Sequence, residues 1–80
     1  MKVKKKQFLV IGLGRFGFSL AKTLCEMGHE VLAVDRDAEA VEDISPFVTQ
    51  AVQADATDDE VFDSLDAGSY DAAIISMGSA

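Results

Sequence analysis

Apolar and polar residues follow two distinct patterns along the chain. Short apolar runs at residues 8–11, 31–34 and 72–75 contain β-branched side chains and have the length of buried parallel strands. Between these runs, apolar residues recur at the spacing of amphipathic helices. The pattern predicts that strands and helices alternate, with strands at residues 7–11, 30–35, 49–54 and 70–76.

The first helix is predicted to run from residue 15 to about residue 27. On a helical wheel, small and apolar residues form one stripe that we expect to face the sheet: Gly17, Leu20, Ala21 and Leu24. Gly28 then stands where helices commonly end in a glycine. This helix therefore connects the first two predicted strands.

The second and third helices are predicted to be short and acidic. Asp37 is the expected N-cap of a helix that stops before Pro46. Thr57 and Glu60 have the spacing of a capping box, in which each side chain accepts a hydrogen bond from the backbone amide of the other residue. We therefore expect the third helix to begin at this box and to end at Gly68.

The element order β-α-β-α-β-α-β predicts an α/β fold with a parallel sheet, because the connections are too long for hairpins and suit right-handed crossovers. The expected strand order is 3-2-1-4, with the third strand at an edge. The first two helices should then cover one face of the sheet and the third helix the other. A doubly wound fold would continue after the fourth strand, so residues 1–80 are interpreted as the N-terminal part of a longer domain, or as a unit completed by association.

Composition limits the classes of protein that fit. With 80 residues, 49% of them hydrophobic, and a mean hydropathy of +0.16, the chain has the composition of one globular domain. The net charge is −7, and four of the seven basic residues lie at residues 2–6. A nucleic-acid-binding protein needs a basic face, so a nucleic-acid partner is not expected.

No apolar run reaches the roughly 18 residues that a transmembrane helix needs, and no cleavage-like site follows the N-terminal lysines. The expectation is a cytoplasmic protein that does not insert into a membrane. Cys25 is the only cysteine, which excludes a disulfide within the chain and favours a small packed thiol. His29 is predicted to lie on the surface, in the turn between the first helix and the second strand.

A glycine-rich turn connects the first strand to the first helix, with the sequence Gly12-Leu13-Gly14-Arg15-Phe16-Gly17. In a GxGxxG turn, the first glycine permits a tight bend, the second lets the backbone approach a pyrophosphate, and the third lets the helix lie close to the sheet. The unpaired amides of the helix N-terminus and its positive dipole end attract anions. Because a strand precedes the turn and a helix follows it, the motif predicts nucleotide binding.

Asp35 ends the second predicted strand, the position at which an acidic residue accepts hydrogen bonds from the ribose of an adenosine group. Its charge would repel a 2′-phosphate, so Asp35 favours NAD, ATP or ADP over NADP. The neighbouring Arg36 leaves NADP open as an alternative, because a guanidinium can hold a 2′-phosphate or stack on adenine. A solvated loop arginine is an equal interpretation of Arg36.

Two further residues are candidates for nucleotide contacts. Arg15 follows the second glycine of the turn, where a guanidinium could hold the phosphates or reach a ligand of a neighbouring subunit. The alternative is an exposed arginine in the first helical turn without such a contact. Asp55 follows the third predicted strand and could accept a hydrogen bond from the adenine amino group, or serve only as a loop residue. The acidic residues from Asp58 to Asp66 are expected to be solvated, with weak Ca²⁺ binding as an alternative. No catalytic constellation is recognisable.

Several segments together resemble the N-terminal nucleotide-binding half of RCK domains, the TrkA and KtrA type subunits that regulate bacterial potassium transport. The similarity rests on the glycine turn with its arginine, on residues 27–31 and 34–35, and on residues 54–57, which read Ala-Asp-Ala-Thr. Ala54 departs from the glycine that the family often has there. By position, the resemblance implies the following cofactor-binding residues: Gly12, Gly14, Arg15, Phe16, Gly17, Asp35 and Asp55, with Arg36 and Ala56 beside them.

The resemblance implies a Rossmann-like sheet and a sensor rather than an enzyme. Its cofactor would be NAD(H) or ATP/ADP, and no metal is expected. Its partners would be further copies of the chain, as a dimer or, in a full-length form, a ring, together with a membrane potassium channel or transporter subunit that holds it at the inner face of the membrane. The alternative is the cofactor-binding half of an NAD-dependent dehydrogenase whose catalytic part lies beyond these residues.

Overall fold

A computed structural model describes residues 4–76, in which strands and helices alternate as the sequence pattern predicts. The strands are β1 (Gln7–Ile11), β2 (Glu30–Asp35), β3 (Gln50–Gln53) and β4 (Ala72–Ile75). The helices are α1 (Arg15–Glu26), α2 (Ala38–Ile44) and α3 (Asp59–Ser64). Short 3₁₀ turns follow α2 and α3, at Ser45–Phe47 and Ala67–Ser69. Strands β3 and β4 are shorter than predicted.

The four strands form one parallel sheet in the order β3-β2-β1-β4, which confirms the predicted topology. In the register of the sheet, Leu9 of β1 lies opposite Leu32 of β2 and Ala73 of β4. β1 pairs with a strand on each side and ends in three consecutive buried residues. β3 lies at an edge of the sheet, as predicted.

The two faces of the sheet have separate cores. On the first face, Val10 and Ala33 pack with Ala21 of α1 and Ile44 of α2. On the second face, apolar residues of α3 and the following turn pack against the alternate strand residues Leu9, Ile11 and Val34. The predicted distribution of helices, two on one face and one on the other, is therefore confirmed.

The start of α3 differs from the predicted capping box. Asp58 is the N-cap, and its Oδ1 accepts hydrogen bonds from the backbone amides of Glu60 at 2.9 Å and Val61 at 3.3 Å. The hydroxyl of Thr57 instead donates to Asp55 Oδ1 at 2.5 Å. Because the helix begins one residue later than predicted, Glu60 lies at the second helical position, where it does not complete the box.

Glycine was predicted to end two helices, and the structure confirms this for Gly28 but not for Gly68. Gly28 follows α1 with a φ of +94°, a conformation that favours glycine. Gly68, by contrast, does not end α3, which stops at Ser64. Asp66 takes the left-handed conformation there, with a φ of 52°, and Gly68 lies within the subsequent 3₁₀ turn.

His29 is buried, which corrects the prediction of a surface residue. Only 8% of it is exposed, and its Nδ1 accepts a hydrogen bond from the backbone amide of Lys6 at 3.1 Å. Its ring also meets that of Phe8 edge to face, with centroids 5.2 Å apart. The turn after α1 folds against the segment that enters β1, and this covers the imidazole. Cys25 is partly buried against the first core, as predicted.

Within residues 4–76, no helix is long and apolar enough to cross a membrane.

Candidate functional site

A cleft of about 380 Å³ opens at the carboxyl ends of the four strands. In open parallel α/β sheets, ligands bind at this edge, close to the point where the strand order reverses. Here that point lies between β1, which is followed by the glycine turn, and β4. The residues that line the cleft are Ile11, Gly12, Asp35, Arg36, Ala54, Asp55, Ala56, Thr57 and Ser76.

The first glycine of the turn has no room for a side chain. Gly12 has a φ of +93°, and a Cβ atom built on it would lie 1.9 Å from the carbonyl oxygen of Ser76. The Gly12 amide donates to the Val34 carbonyl at 2.8 Å, which fixes the turn to β2. The close approach of two backbones explains why this position requires glycine.

The other two glycines place the start of α1 against the turn. A Cβ atom on Gly17 would lie 1.9 Å from the carbonyl oxygen of Gly12, so any larger residue would push the helix away. Gly14 is the N-cap and contributes no capping side chain, and the first turn of α1 carries no acidic residue. The amides at the helix start therefore have no competing carboxylate on α1 and form the kind of site that binds phosphate.

Asp35 connects β2 to the glycine turn. Its Oδ2 accepts a hydrogen bond from the backbone amide of Leu13 at 2.7 Å, and its Oδ1 accepts one from the amide of Asp37 at 2.8 Å. The carboxylate is partly buried and faces the cleft, where its remaining lone pairs could accept hydrogen bonds from ribose hydroxyls. Sequence reasoning assigned Asp35 to the ribose but missed its bond to the turn.

Asp55 is held in place by Thr57, two positions later in the chain. Its Oδ1 accepts from the Thr57 amide at 3.0 Å and from the Thr57 hydroxyl at 2.5 Å. These hydrogen bonds, hydroxyl first, lower the pKa of the Asp55 carboxyl, and the positive charge of Arg36 lowers it further. Asp55 is therefore a stable anion at the β3 end of the cleft.

The cleft brings together five of the predicted site residues: Gly12, Asp35, Arg36, Asp55 and Ala56. Four predicted site residues do not line it: Gly14, Arg15, Phe16 and Gly17. Arg15 and Phe16 are exposed in the first turn of α1, where 67% of the surface of Phe16 is accessible.

Four lining residues were not predicted: Ile11, Ala54, Thr57 and Ser76. The sequence did contain a signal for two of them. Ala54 and Ser76 directly follow β3 and β4, and the strand order 3-2-1-4 brings every carboxyl end to the same edge. Thr57 was missed because its hydroxyl was assigned to the helix cap. Within residues 4–76, no three His, Cys, Asp or Glu side chains are placed to hold a metal ion.

Parallel strands in the order 3-2-1-4, with a glycine turn leading into α1, define a Rossmann-like domain. The fold is shared with N5-carboxyaminoimidazole synthetase from Staphylococcus aureus, solved in complex with ADP, at a TM-score of 0.75 and 21% identity. The similarity covers 95% of this chain and 20% of that enzyme, and at this identity it shows the fold alone.

Within this class, the chain belongs to the TrkA-N domain family, whose sequence profile matches residues 8–80. This confirms the resemblance based on the glycine turn and the Ala-Asp-Ala-Thr segment. Ktr system potassium uptake protein A from Bacillus subtilis is 47% identical over 77 residues, and the protein of that name from Vibrio alginolyticus is 44% identical over 78 residues. Ktr system potassium uptake protein C from Bacillus subtilis is 43% identical over 74 residues.

These alignments cover 96%, 98% and 92% of this chain, but only 35%, 36% and 34% of the respective relatives. The chain thus spans about a third of the length of the curated relatives it matches.

Proposed function

We propose that this chain is the nucleotide-sensing part of a regulatory subunit in a potassium uptake system. Its membership of the TrkA-N family and its identity to three Ktr system potassium uptake proteins support the transport role. The observation that carries nucleotide sensing is the cleft in which Gly12, Asp35 and Asp55 meet at the carboxyl edge of the sheet.

The proposed ligand is an adenine nucleotide, either ATP/ADP or NAD(H). Its phosphates would lie at the glycine turn and the amides of α1, its ribose at Asp35, and its adenine toward Asp55. The cleft volume falls within the range of small-molecule sites, about 300–1,000 Å³. NADP fits less well, because Asp35 would repel the 2′-phosphate.

Arg15 and Phe16 would act from the rim of this site rather than from within it. Arg15 is an exposed cation at the positive end of a helix dipole, a position where an anion nearby is favourable. A terminal phosphate, on its own nucleotide or on that of a neighbouring copy, would supply such an anion. In this proposal Arg15 distinguishes nucleotides by their terminal charge.

Sensing requires that the ligand prefer one conformation of an assembly over another. A preference of about 1–3 kcal/mol would change the conformational equilibrium roughly 5- to 150-fold. The proposed assembly is a dimer, or a ring in a longer chain, held at the inner face of the membrane by a potassium channel or transporter subunit. The domain itself would be cytoplasmic and would perform no catalysis.

Calorimetric titration with ATP, ADP, NAD, NADH and NADP tests the nucleotide site. Asp35→Asn is a suitable variant, since the amide oxygen of asparagine can still accept the Leu13 hydrogen bond, while the charge and the bond from the Asp37 amide are lost. Asp43→Asn, at an exposed position of α2, is the matched control. We expect the unmodified protein to bind the adenine nucleotides and to prefer them to NADP. Asp35→Asn should lower these affinities and reduce the preference over NADP. Asp43→Asn should leave the affinities and the preference unchanged.

The proposal fails if none of the five nucleotides binds the unmodified protein. If Asp35→Asn keeps both the affinities and the preference over NADP, Asp35 does not bind the ribose as proposed.

A further inference from the structure

The carboxylate of Asp55 is held at one oxygen only. Both donors of Thr57, its backbone amide and its hydroxyl, bond to Oδ1, at 3.0 Å and 2.5 Å. Within residues 4–76, no hydrogen bond is made to Oδ2 of Asp55. Since a carboxylate oxygen has two lone pairs, Thr57 occupies Oδ1 and leaves Oδ2 to accept from another donor.

The backbone on either side of Asp55 is fixed. Ala54 and Ala56 are partly buried against the second core, and the Ala54 amide donates to the Asp35 carbonyl at 3.0 Å. The carbonyl of Asp55 accepts from the Asp58 amide at 3.1 Å. Because the main chain is anchored on both sides, the remaining freedom of Asp55 is the rotation of its own side chain, and Thr57 restricts that rotation.

The hydroxyl of Thr57 has no part in capping α3. Asp58 supplies the N-cap bonds, so the helix would keep its cap without Thr57. Thr57 is exposed and lines the cleft together with Asp55 and Arg36. Its structural contribution is directed at the cleft rather than at the helix.

We propose that Thr57 is a positioning residue that reserves Oδ1 of Asp55 and presents Oδ2 to the exocyclic amino group of an adenine base. This inference rests on the proposed nucleotide function and adds a source of base specificity. An amino group donates to a carboxylate oxygen, whereas the 6-oxo group of hypoxanthine is an acceptor and would be repelled. The site would thus bind 6-aminopurine nucleotides more tightly than 6-oxopurine nucleotides.

The charges around Asp55 agree with an accepting carboxylate. Arg36 is the cation facing it, and Asp35 is the other carboxylate lining the cleft. Asp35 already accepts from two backbone amides, which leaves Asp55 as the acid with an uncommitted oxygen. The lowered pKa of Asp55 keeps that oxygen ionised at neutral pH.

The test compares ADP with inosine diphosphate, two nucleotides that differ only in the base edge facing Asp55. Calorimetric affinities are measured for the unmodified protein, Thr57→Val and Thr57→Ser. Valine keeps the shape of threonine but removes the hydroxyl, and serine restores it. Thr23→Val, at an exposed position of α1, is the matched control for a threonine-to-valine change.

We expect the unmodified protein and Thr57→Ser to prefer ADP by roughly tenfold or more, as expected for one hydrogen bond to a charged group. In Thr57→Val, the ratio of ADP affinity to inosine diphosphate affinity should be several-fold smaller, mainly because ADP binds more weakly. Thr23→Val should keep the ratio of the unmodified protein. An NMR titration of the Asp55 carboxyl carbon supplies a second measurement, in which Thr57→Val should raise the pKa of Asp55.

Nucleotide binding with an ADP preference that is the same in Thr57→Val would overturn the positioning role and leave the proposed function intact. Equal affinity of the unmodified protein for the two nucleotides would overturn the base specificity. Binding of neither nucleotide would overturn the proposed function and this inference with it.

Discussion

Two aspartates that line the cleft are held in place by hydrogen bonds from the protein itself. Asp35 and Asp55 each accept two hydrogen bonds, Asp35 from backbone amides alone and Asp55 from the amide and hydroxyl of Thr57. Such bonds fix the direction of each carboxylate before any ligand arrives. The difference between the two residues is that Asp35 uses both oxygens and Asp55 only one.

The pH dependence of stability should reveal the bonds to Asp55. Because its pKa is lower in the folded than in the unfolded protein, Asp55 stabilises the fold above the unfolded pKa, about 3.9. That contribution is lost as the pH falls through the folded pKa. Asp55→Asn should therefore differ most from the unmodified protein above pH 4, and the difference should shrink in stronger acid.

Urea unfolding measured from pH 7 down to pH 2 checks this expectation. A difference in unfolding free energy between the two proteins that stays constant over the whole range would contradict the assigned hydrogen bonds.

Residue by residue, the sequence predicted the need for glycine better than it predicted hydrogen-bond partners. The requirement for glycine at Gly12 and Gly17 followed from the motif, and the close backbone contacts agree with it. The bond from Leu13 to Asp35 could not be predicted, because it depends on the distance between a turn and a strand end that are far apart in sequence. The burial of His29 was missed for the same reason: the segment before β1 covers it.

At the scale of elements, strand positions were easier to predict than helix starts. Three of the four strands have an apolar run that sets their centre, and only the ends of β3 and β4 differ from the prediction. The start of α3 lies in a stretch where Thr57, Asp58 and Asp59 are all acceptable N-caps. The sequence could not choose between them, because the choice depends on Asp55, which accepts the Thr57 hydroxyl and thereby removes it from competition.

The cap of α3 can be tested by single substitutions. Asp58→Ala removes the acceptor for the amides of Glu60 and Val61 and should reduce the unfolding free energy by about 1 kcal/mol. Asp59→Ala, one position later, removes a charge without removing the cap and should cost less than Asp58→Ala. Thermal or urea unfolding of both variants gives the comparison, and a larger effect at Asp59 would mean that the cap is wrongly assigned.

At the scale of the whole molecule, the layers followed from the order of the elements. Right-handed crossovers and short connections leave few arrangements for alternating strands and helices, and the predicted order 3-2-1-4 is the one observed. The layers are unequal, because two helices cover the first face and α3 with its turn covers part of the second. Ile75 of β4 remains 56% exposed.

Because the two faces of the sheet are covered unequally, the same isoleucine-to-alanine substitution should have different effects at a buried and at an exposed position. Ile44 is fully buried between α2 and the sheet, so Ile44→Ala should reduce the unfolding free energy by about 2–5 kcal/mol. Ile75→Ala removes the same atoms from an exposed position and should cost about 0.5 kcal/mol or less. Comparable losses in urea unfolding would show that Ile75 is covered in solution.

The double attachment of Asp35 also limits how this cleft can change in the course of evolution. A lineage that came to use a 2′-phosphorylated cofactor would need to remove the negative charge at position 35, yet the same carboxylate keeps the Leu13 amide in place. A single replacement by a small neutral residue would therefore disturb the glycine turn while it removed the repulsion proposed for Asp35. Asparagine would keep an acceptor for the Leu13 amide but lose the one for the Asp37 amide. A second change that supplies the missing acceptor would therefore have to accompany the loss of the charge.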